Sequence, residues 1–302
     1  MVRREPRQFG EVGTRWTLDA IHRVCPWLRL CSSAGVSAFL KRLKISYKRG
    51  RAHVHSPDDD YLAKLKTIRV CAERVQRDPQ RQVLLFADEF GYERQPTLSY
   101  AYEAAGHAQP LAELGHTSNR VWRVIATLDA LSGRVLYLQQ KHITVPALIR
   151  FYQQVVAAYP QAQTLYLVVD NWPNHFHPDV RAALQPQWLP FPLYVPHNWP
   201  VTPRPQAKRL NLPIQLVQLP TYASWTNPIE KLWRKLRQEE LHLHRFADDW
   251  DGLRRQVADW LAQFEVGSAD LLRYVGLSNL AQLYQAALAR SVPSPPITRF
   301  IC

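Results

Sequence analysis

The 302-residue chain contains no apolar run of 18 or more residues, and its opening Met-Val-Arg-Arg-Glu is not followed by an apolar stretch. The first absence excludes a membrane-spanning helix and the second a secretory signal peptide, which predicts a soluble, intracellular protein. Cysteine is sparse. Cys25, Cys31, Cys71 and Cys302 stand apart with no C-x-x-C pair, which argues against a disulfide framework or a thiolate zinc site and suits a reducing compartment. Acids are short as well, with 25 Asp and Glu against 38 Lys and Arg. The resulting formal charge of +13 and pI near 9.8 point to a polyanionic partner rather than a small acidic metabolite, an anionic membrane surface being the alternative that charge alone leaves open. No Ser, His and Asp spacing suggests a covalent nucleophile. What is present is 46% hydrophobic residues, enough to bury one sizeable core with a small additional domain.

The positive charge is concentrated at one end. Residues 1–55 hold twelve Lys or Arg against Glu5, Glu11 and Asp19, a net of +9. Within them Ser32 or Ser33 caps a predicted helix whose Val36, Phe39, Leu40 and Leu43 repeat at i, i+3, i+4 and i+7, and a helix over about Thr17 to Val24 supports it. The other face of the second helix is small and basic. Ser37, Lys41 and Arg42 are placed to approach a major groove, with Lys44, Lys48, Arg49 and Arg51 gripping phosphates beside it, the pattern of a helix-turn-helix module followed by a basic arm. A solvated basic face on a small bundle is the plainer alternative.

Ser56-Pro57-Asp58-Asp59-Asp60 reads as a linker that opens a connecting helix from Tyr61 to about Val75, the acids complementing the helix dipole rather than binding an ion. Beyond it the apolar pattern predicts strands near 82–88, 121–128, 134–140 and 164–170, a helix near 146–159 and another after His177, with Ser132-Gly133 as a hairpin turn. Three antiparallel strands, a crossover helix and a further strand make an α/β sheet domain.

Three segments of this domain each end on or carry an acid: VLLFADEF with Asp88, LYLVVDNWPNH with Asp170, and YASWTNPIEKLW with Glu230. The first two read as buried strands with the acid at or near the end. The third reads as a helix start, Asn227 capping, Pro228 at the first position and Glu230 in the first turn, with Leu232, Trp233 and Leu236 as its apolar stripe. Converging carboxylates repel unless a cation neutralises them, and all-oxygen ligands favour Mg2+ or Mn2+ over zinc. Two such ions would serve in-line displacement at phosphorus. Asn171 and His175 follow Asp170 in a loop, as accessory groups that orient a ligand or as plain loop caps, while Glu89 should face away from Asp88. After Glu230, Lys231, Arg234, Lys235 and Arg237 form a cationic face fit for a polyanion, and Trp250, Leu253, Val257, Trp260 and Leu261 mark one more amphipathic helix.

Asp170-Asn171 with His175, and Trp225-Thr226-Asn227-Pro228-Ile229-Glu230 with Trp233, resemble the DDE transposases of the mariner superfamily, in particular the bacterial insertion-sequence group known as "six-thirty". The likeness runs from Thr14 to about Leu261. It implies a ribonuclease H-like catalytic domain behind helix-turn-helix DNA binding, with Asp88, Asp170 and Glu230 as the catalytic and metal-binding triad for two Mg2+ or Mn2+ ions. It implies double-stranded DNA partners, namely terminal inverted repeats and target DNA, a homodimer, and cut-and-paste transposition at TA sites in the bacterial cytoplasm and nucleoid. The domains expected are a DNA-binding module over 1–55, a linker and connecting helix over 56–80, a catalytic domain over 81–290, and a tail over 291–302.

Two departures stand out. The 60 positions from Asp170 to Glu230 exceed the usual interval and imply an insertion near 186–211, dense in proline, with Trp199, Arg204, Lys208 and Arg209 either touching DNA or decorating the surface. Relatives also carry a second helix-turn-helix before the one seen here, so the chain is shortened, completed by a separate product, or reduced in end recognition. A transposase-derived protein that only binds DNA, and a nuclease of the same fold that cuts without joining, are the competing readings.

Overall fold

The computed structural model describes residues 4–47, 56–193 and 195–289. Lys48, Arg49 and Arg51 of the expected basic arm, and the tail 291–302, lie outside the described residues. The chain divides between residues 54 and 55 into two compact units.

In the first unit, α1 (Leu18–Val24) begins where the Thr17 hydroxyl accepts the Ala20 N–H, and α2 (Ser33–Arg42) where the Ser32 hydroxyl accepts that of Gly35. Each cap satisfies a donor that the helix itself leaves free. Ile21, Cys25 and Val36 make the small core, with Trp16 and Leu40 packed on it. Leu43, expected inward, caps α2 and is 53% exposed, because Lys44 turns left-handed (φ 57°) and diverts the chain. Lys41, Arg42 and Lys44 are exposed, and Ser37 is half-buried.

The second unit is built on a five-stranded sheet of order β3-β2-β1-β4-β5, comprising β1 (Gln82–Glu93), β2 (Val121–Asp129), β3 (Val135–Gln140), β4 (Thr164–Val169) and β5 (Ile214–Gln218). β1, β2 and β3 are antiparallel, whereas β4 and β5 run parallel to β1. This is the sheet that the ribonuclease H-like expectation describes. Its central strands read as unbroken apolar runs because both faces are covered. Leu84 and Phe86 pack with α3 (Tyr61–Arg77) and with helices that follow β5, while Val83, Leu85 and Ala87 pack with α4 (Val145–Ala157) and α5 (Pro178–Ala183). At the β2–β3 hairpin Gly133 has φ 69°, and a side chain there would fall 2.4 Å from the Ser268 carbonyl oxygen.

The sheet differs from the sequence reading in two places, the middle of β1 and the outer edge. β1 does not stop at Asp88. Its parallel pairing with β4 ends at Phe86 opposite Val168, but its antiparallel pairing with β2 continues to Glu93 opposite Val121. Asp88 therefore lies mid-strand, two residues past the last β1 pair with β4, where β1 has no strand partner on that edge among the described residues.

β5 itself was not anticipated, being five residues long and flanked by prolines. Its outer edge is covered by the Pro-rich segment, whose prolines have no N–H to offer a ladder. The Gln187 carboxamide substitutes for a strand backbone, Nε2 donating to the Ile214 carbonyl at 2.7 Å and Oε1 accepting the Leu216 N–H at 2.8 Å. Further along, Asp179 accepts the Arg204 N–H and Nε–H, both at 2.8 Å, and Trp199 packs edge-on against His177. Trp199 and Arg204, weighed as DNA contacts or surface decoration, fasten the segment to α5.

The remaining α-helices among the described residues are α6 (Ile229–Leu236), which continues as a wider turn to Leu241, α7 (Trp250–Ala262), α8 (Ala269–Val275) and α9 (Gln285–Ala289). α6 buries Ile229, Leu232, Trp233 and Leu236 against the sheet, as its stripe predicts. No helix among the described residues is long and apolar enough to cross a membrane.

Candidate active site

Asp88 comes from the middle of β1, Asp170 from the residue after β4, and Glu230 from the first turn of α6. All three line one cavity of about 770 Å³ at the carboxyl ends of β4 and β5. The structure thus brings together acids 60 to 142 positions apart in sequence. Asp88 is largely buried. Burial first, then the charges of Glu230 and Asp170, push its carboxyl up to about 8, against hydrogen bonds from Trp233 and the Glu89 amide that favour the carboxylate. Glu230 is raised in the same way, by burial and by Asp170, with Arg237 and Arg234 pulling it back.

Local chemistry fixes two of the acids. Trp233 Nε1–H donates to Asp88 Oδ2 at 2.9 Å, and the Trp172 N–H donates to Asp170 Oδ1 at 2.9 Å. Trp233 was read only as core packing. It does pack, stacked on Phe90 with centroids 5.2 Å apart, but its offset of three from Glu230 puts both on the site-facing side of α6. Asn227, read as the helix cap, makes no cap bond. Its buried carboxamide donates to the Ala87 carbonyl at 3.2 Å and so ties the start of α6 to the strand that carries Asp88.

Behind Asp170 lies His175, 1% exposed, with Nε2 3.9 Å from Asp170 Oδ1 and Nδ1 2.7 Å from the Tyr152 hydroxyl. Burial lowers its pKa to about 4 against the pull of Asp170, so the imidazole is neutral. Tyr152, at 0% exposure on α4, carried no signal in the sequence beyond its place in an apolar stripe. Asn171 turns the other way and donates through Nδ2 to Thr221 Oγ1 at 2.8 Å. Thr221 is also held by Asp58, whose Oδ2 accepts the Thr221 N–H at 2.6 Å and the Lys64 ammonium at 2.7 Å. Asp58 Oδ1 also accepts the Asp60 N–H at 2.9 Å just before α3, so the acid serves the helix start that its sequence position suggested and a second purpose besides. It makes a buried ion pair that fastens the rim of the cavity.

Glu89, expected to face away from Asp88, pairs with Arg123 but also lines the cavity. The cationic face on α6 is narrower than expected, because α8 packs against it. Lys231 donates to the Val275 carbonyl at 2.8 Å, and Lys235 pairs with Glu239 and lies over the Tyr274 ring. Arg234 stays exposed, and Arg237 lies over Phe90.

Among the described residues no three His, Cys, Asp or Glu side chains are drawn closely enough together to cage a metal ion. The donor set nevertheless fits a hard divalent cation. It offers carboxylate oxygens alone, it accumulates like charge in a partly buried place, and Glu230 has no hydrogen-bond donor on its carboxylate among the described residues.

A sequence profile described as "DDE superfamily endonuclease" matches residues 83–254, the span that holds all three acids. The Insertion element IS630 uncharacterized 39 kDa protein of Shigella sonnei is 19% identical over 257 residues, 84% of this chain and 66% of that protein. The chain therefore spans just under two thirds of that relative's length. Among solved structures, the Mos1 transposase paired-end complex with left transposon end has a TM-score of 0.60 at 16% identity, over 95% of this chain and 79% of that one. The Mos1 mariner paired end complex with Mn has a TM-score of 0.57 at 16% identity, over 93% and 80%. These likenesses bear out the resemblance for family and for fold.

Proposed function

Because the chain belongs to the DDE superfamily endonuclease family, we propose that it is a DNA transposase that hydrolyses phosphodiesters at the ends of its element and joins the freed 3′-hydroxyl to target DNA, by cut-and-paste insertion at TA sites. The single observation that supports this most is the convergence of Asp88, Asp170 and Glu230 on one cavity, where two of the three have raised proton affinities. Perturbed carboxyls in a cleft mark functional sites more often than structural ones.

In this reading Asp88, Asp170 and Glu230 hold two Mg2+ or Mn2+ ions. When bound, such ions activate the attacking oxygen and stabilise the leaving one. The protein's own groups do the positioning. Trp233 and the Trp172 amide each occupy one carboxylate oxygen and so set the orientation of Asp88 and Asp170. Neutral His175, braced by Tyr152, backs Asp170 without competing for its charge. Arg234 and Arg237 hold positive potential beside Glu230, where a phosphate backbone must approach.

The partner is double-stranded DNA, met by Lys41, Arg42 and Lys44 of the first unit, with Ser37 at the groove. The protein works as a homodimer that pairs two ends, in the bacterial cytoplasm and nucleoid. Residues 98–118 support the dimer. They form neither helix nor strand, and Leu98, Tyr100, Tyr102, Leu111 and Leu114 stand exposed on them, which suits an arm that packs on a second copy.

The test is cleavage and strand transfer with labelled element-end DNA in Mg2+ or Mn2+, comparing wild type with Glu230→Gln. Metal-dependent cutting and joined product, both lost in the variant while end binding survives, is the expected result. Binding without cutting would install the DNA-binding reading instead, and cutting without joining the nuclease.

A further inference from the structure

Tyr222 lies on the rim of the acidic cavity with a left-handed backbone, φ 51°. A bulky residue adopts that conformation only where its surroundings impose it. Here they do. Thr221 is held at three points: its N–H by Asp58 Oδ2 at 2.6 Å, its carbonyl by the Ser56 hydroxyl at 2.5 Å, and its hydroxyl by Asn171 Nδ2 at 2.8 Å. Asp58 is itself pinned by Lys64, with the two side chains 4% and 1% exposed. On the other side Ala223 is buried. The backbone is thus fixed on both sides of Tyr222, by Ser56, Asp58 and Asn171 at Thr221 and by burial at Ala223.

The strain gives the fold nothing in return. Tyr222 is 78% exposed and makes no ring contact among the described residues. Tyr284, the other aromatic residue with positive φ, shows what a structural case looks like, for its ring packs on the core and its hydroxyl donates to the Thr226 carbonyl. A large planar ring carried on a fixed backbone and open to solvent, beside three carboxylates that repel anything anionic in the absence of a cation, is arranged for a ligand with both an apolar face and a phosphate.

We propose that Tyr222 is a substrate-binding residue that stacks on an unpaired nucleobase adjoining the phosphate held at Asp88, Asp170 and Glu230, and that Asp58 is the positioning residue that holds it there. The base must be unpaired and unstacked, because inside a duplex both of its faces are already covered. Stacking on an aromatic ring tolerates any base, so the contact fixes the strand without reading its sequence. The proposal rests on the reading of this cavity as a strand-cleavage site.

The test is single-turnover cleavage of element-end DNA by wild type, Tyr222→Gly and Tyr222→Phe, on intact substrate and on substrates made abasic at each nucleotide flanking the cleaved bond. Glycine suits φ 51°, so Tyr222→Gly should melt no lower than wild type, which separates lost contact from lost fold. Tyr222→Gly should cleave intact DNA roughly tenfold more slowly and Tyr222→Phe within about twofold of wild type. On one abasic substrate the penalty of the glycine variant should vanish, as a coupling between ring and base requires. Asp58→Asn should show the same abasic-sensitive defect with Tyr222 intact. A glycine penalty of equal size on every substrate, or no penalty, would overturn the proposal while leaving the catalytic reading in place. No cleavage by wild type on any substrate would remove both.

Discussion

Replacing Asp88 by Asn should make the metal-free protein more stable, by an amount that depends on pH. In the folded chain the Asp88 carboxyl holds its proton to about 8, against an ordinary value of 3.8 once unfolded. Between those values the folded state binds a proton that the unfolded state has released, so metal-free stability falls as pH rises through the window and is level above it. The full difference corresponds to a ceiling of about 6 kcal/mol, at roughly 1.4 kcal/mol per pH unit. Buried His175, lowered to about 4, acts in the opposite sense and loses stability as pH falls below 6.5. Its contribution is constant above 6.5, so the clean window lies between there and about 8. Glu230, raised in the same direction as Asp88, can only steepen the fall. The Asn side chain keeps an oxygen for the Trp233 N–H, so no buried donor is orphaned. Urea unfolding of wild type and Asp88→Asn in chelator should give equal stability near pH 4 and a gap of about 3–5 kcal/mol near pH 8. Mg2+ or Mn2+ should then stabilise wild type at the higher pH and leave the variant unmoved. A variant no more stable than wild type near pH 8, or a gap that does not grow with pH, would refute the electrostatic account of the site.

Other outcomes depend on single contacts. Lys64→Met leaves the Asp58 carboxylate buried without its cation and should lower stability by about 3 kcal/mol in urea unfolding, a larger effect than at any exposed lysine. Tyr152→Phe strips the hydroxyl bonded to His175 Nδ1 and should lower stability by about 1–3 kcal/mol; in the thermal transition an unchanged midpoint would show that the bond is not formed. Changing Tyr100 and Tyr102 together to Ser should leave that midpoint within about 2 °C, since both rings are fully exposed, while light scattering should show the end-bound dimer weakened.

Much of the fold was legible because its signals are local. Val83 to Ala87 and Leu165 to Val169 announce central strands by apolar continuity, and Ile229, Leu232, Trp233 and Leu236 announce a packed helix by spacing. β5 escaped because a five-residue run between prolines has no local mark that separates it from loop, and it becomes a strand only when β4 and Gln187 supply hydrogen bonds on its two edges. Asp58 was read only in part for the same reason. In the sequence it is an acid before a helix, whereas its partner Thr221 lies 163 positions away.

The sequence by itself determined the candidate groups: three acids, each in a segment whose hydrophobic pattern sets its secondary structure, under an excess of positive charge. Their type and their local frames are written in short stretches, and short-range sterics and burial suffice to read them. Only the tertiary structure decided where those groups point and what surrounds them. Trp233 on Asp88, Tyr152 behind His175, Lys231 on Val275 and Thr221 clamped by Asp58 are all contacts between separate segments, 23 to 163 positions apart. Such contacts depend on chain closure over many tens of residues, and the burial that raises the Asp88 pKa exists only once that closure is complete.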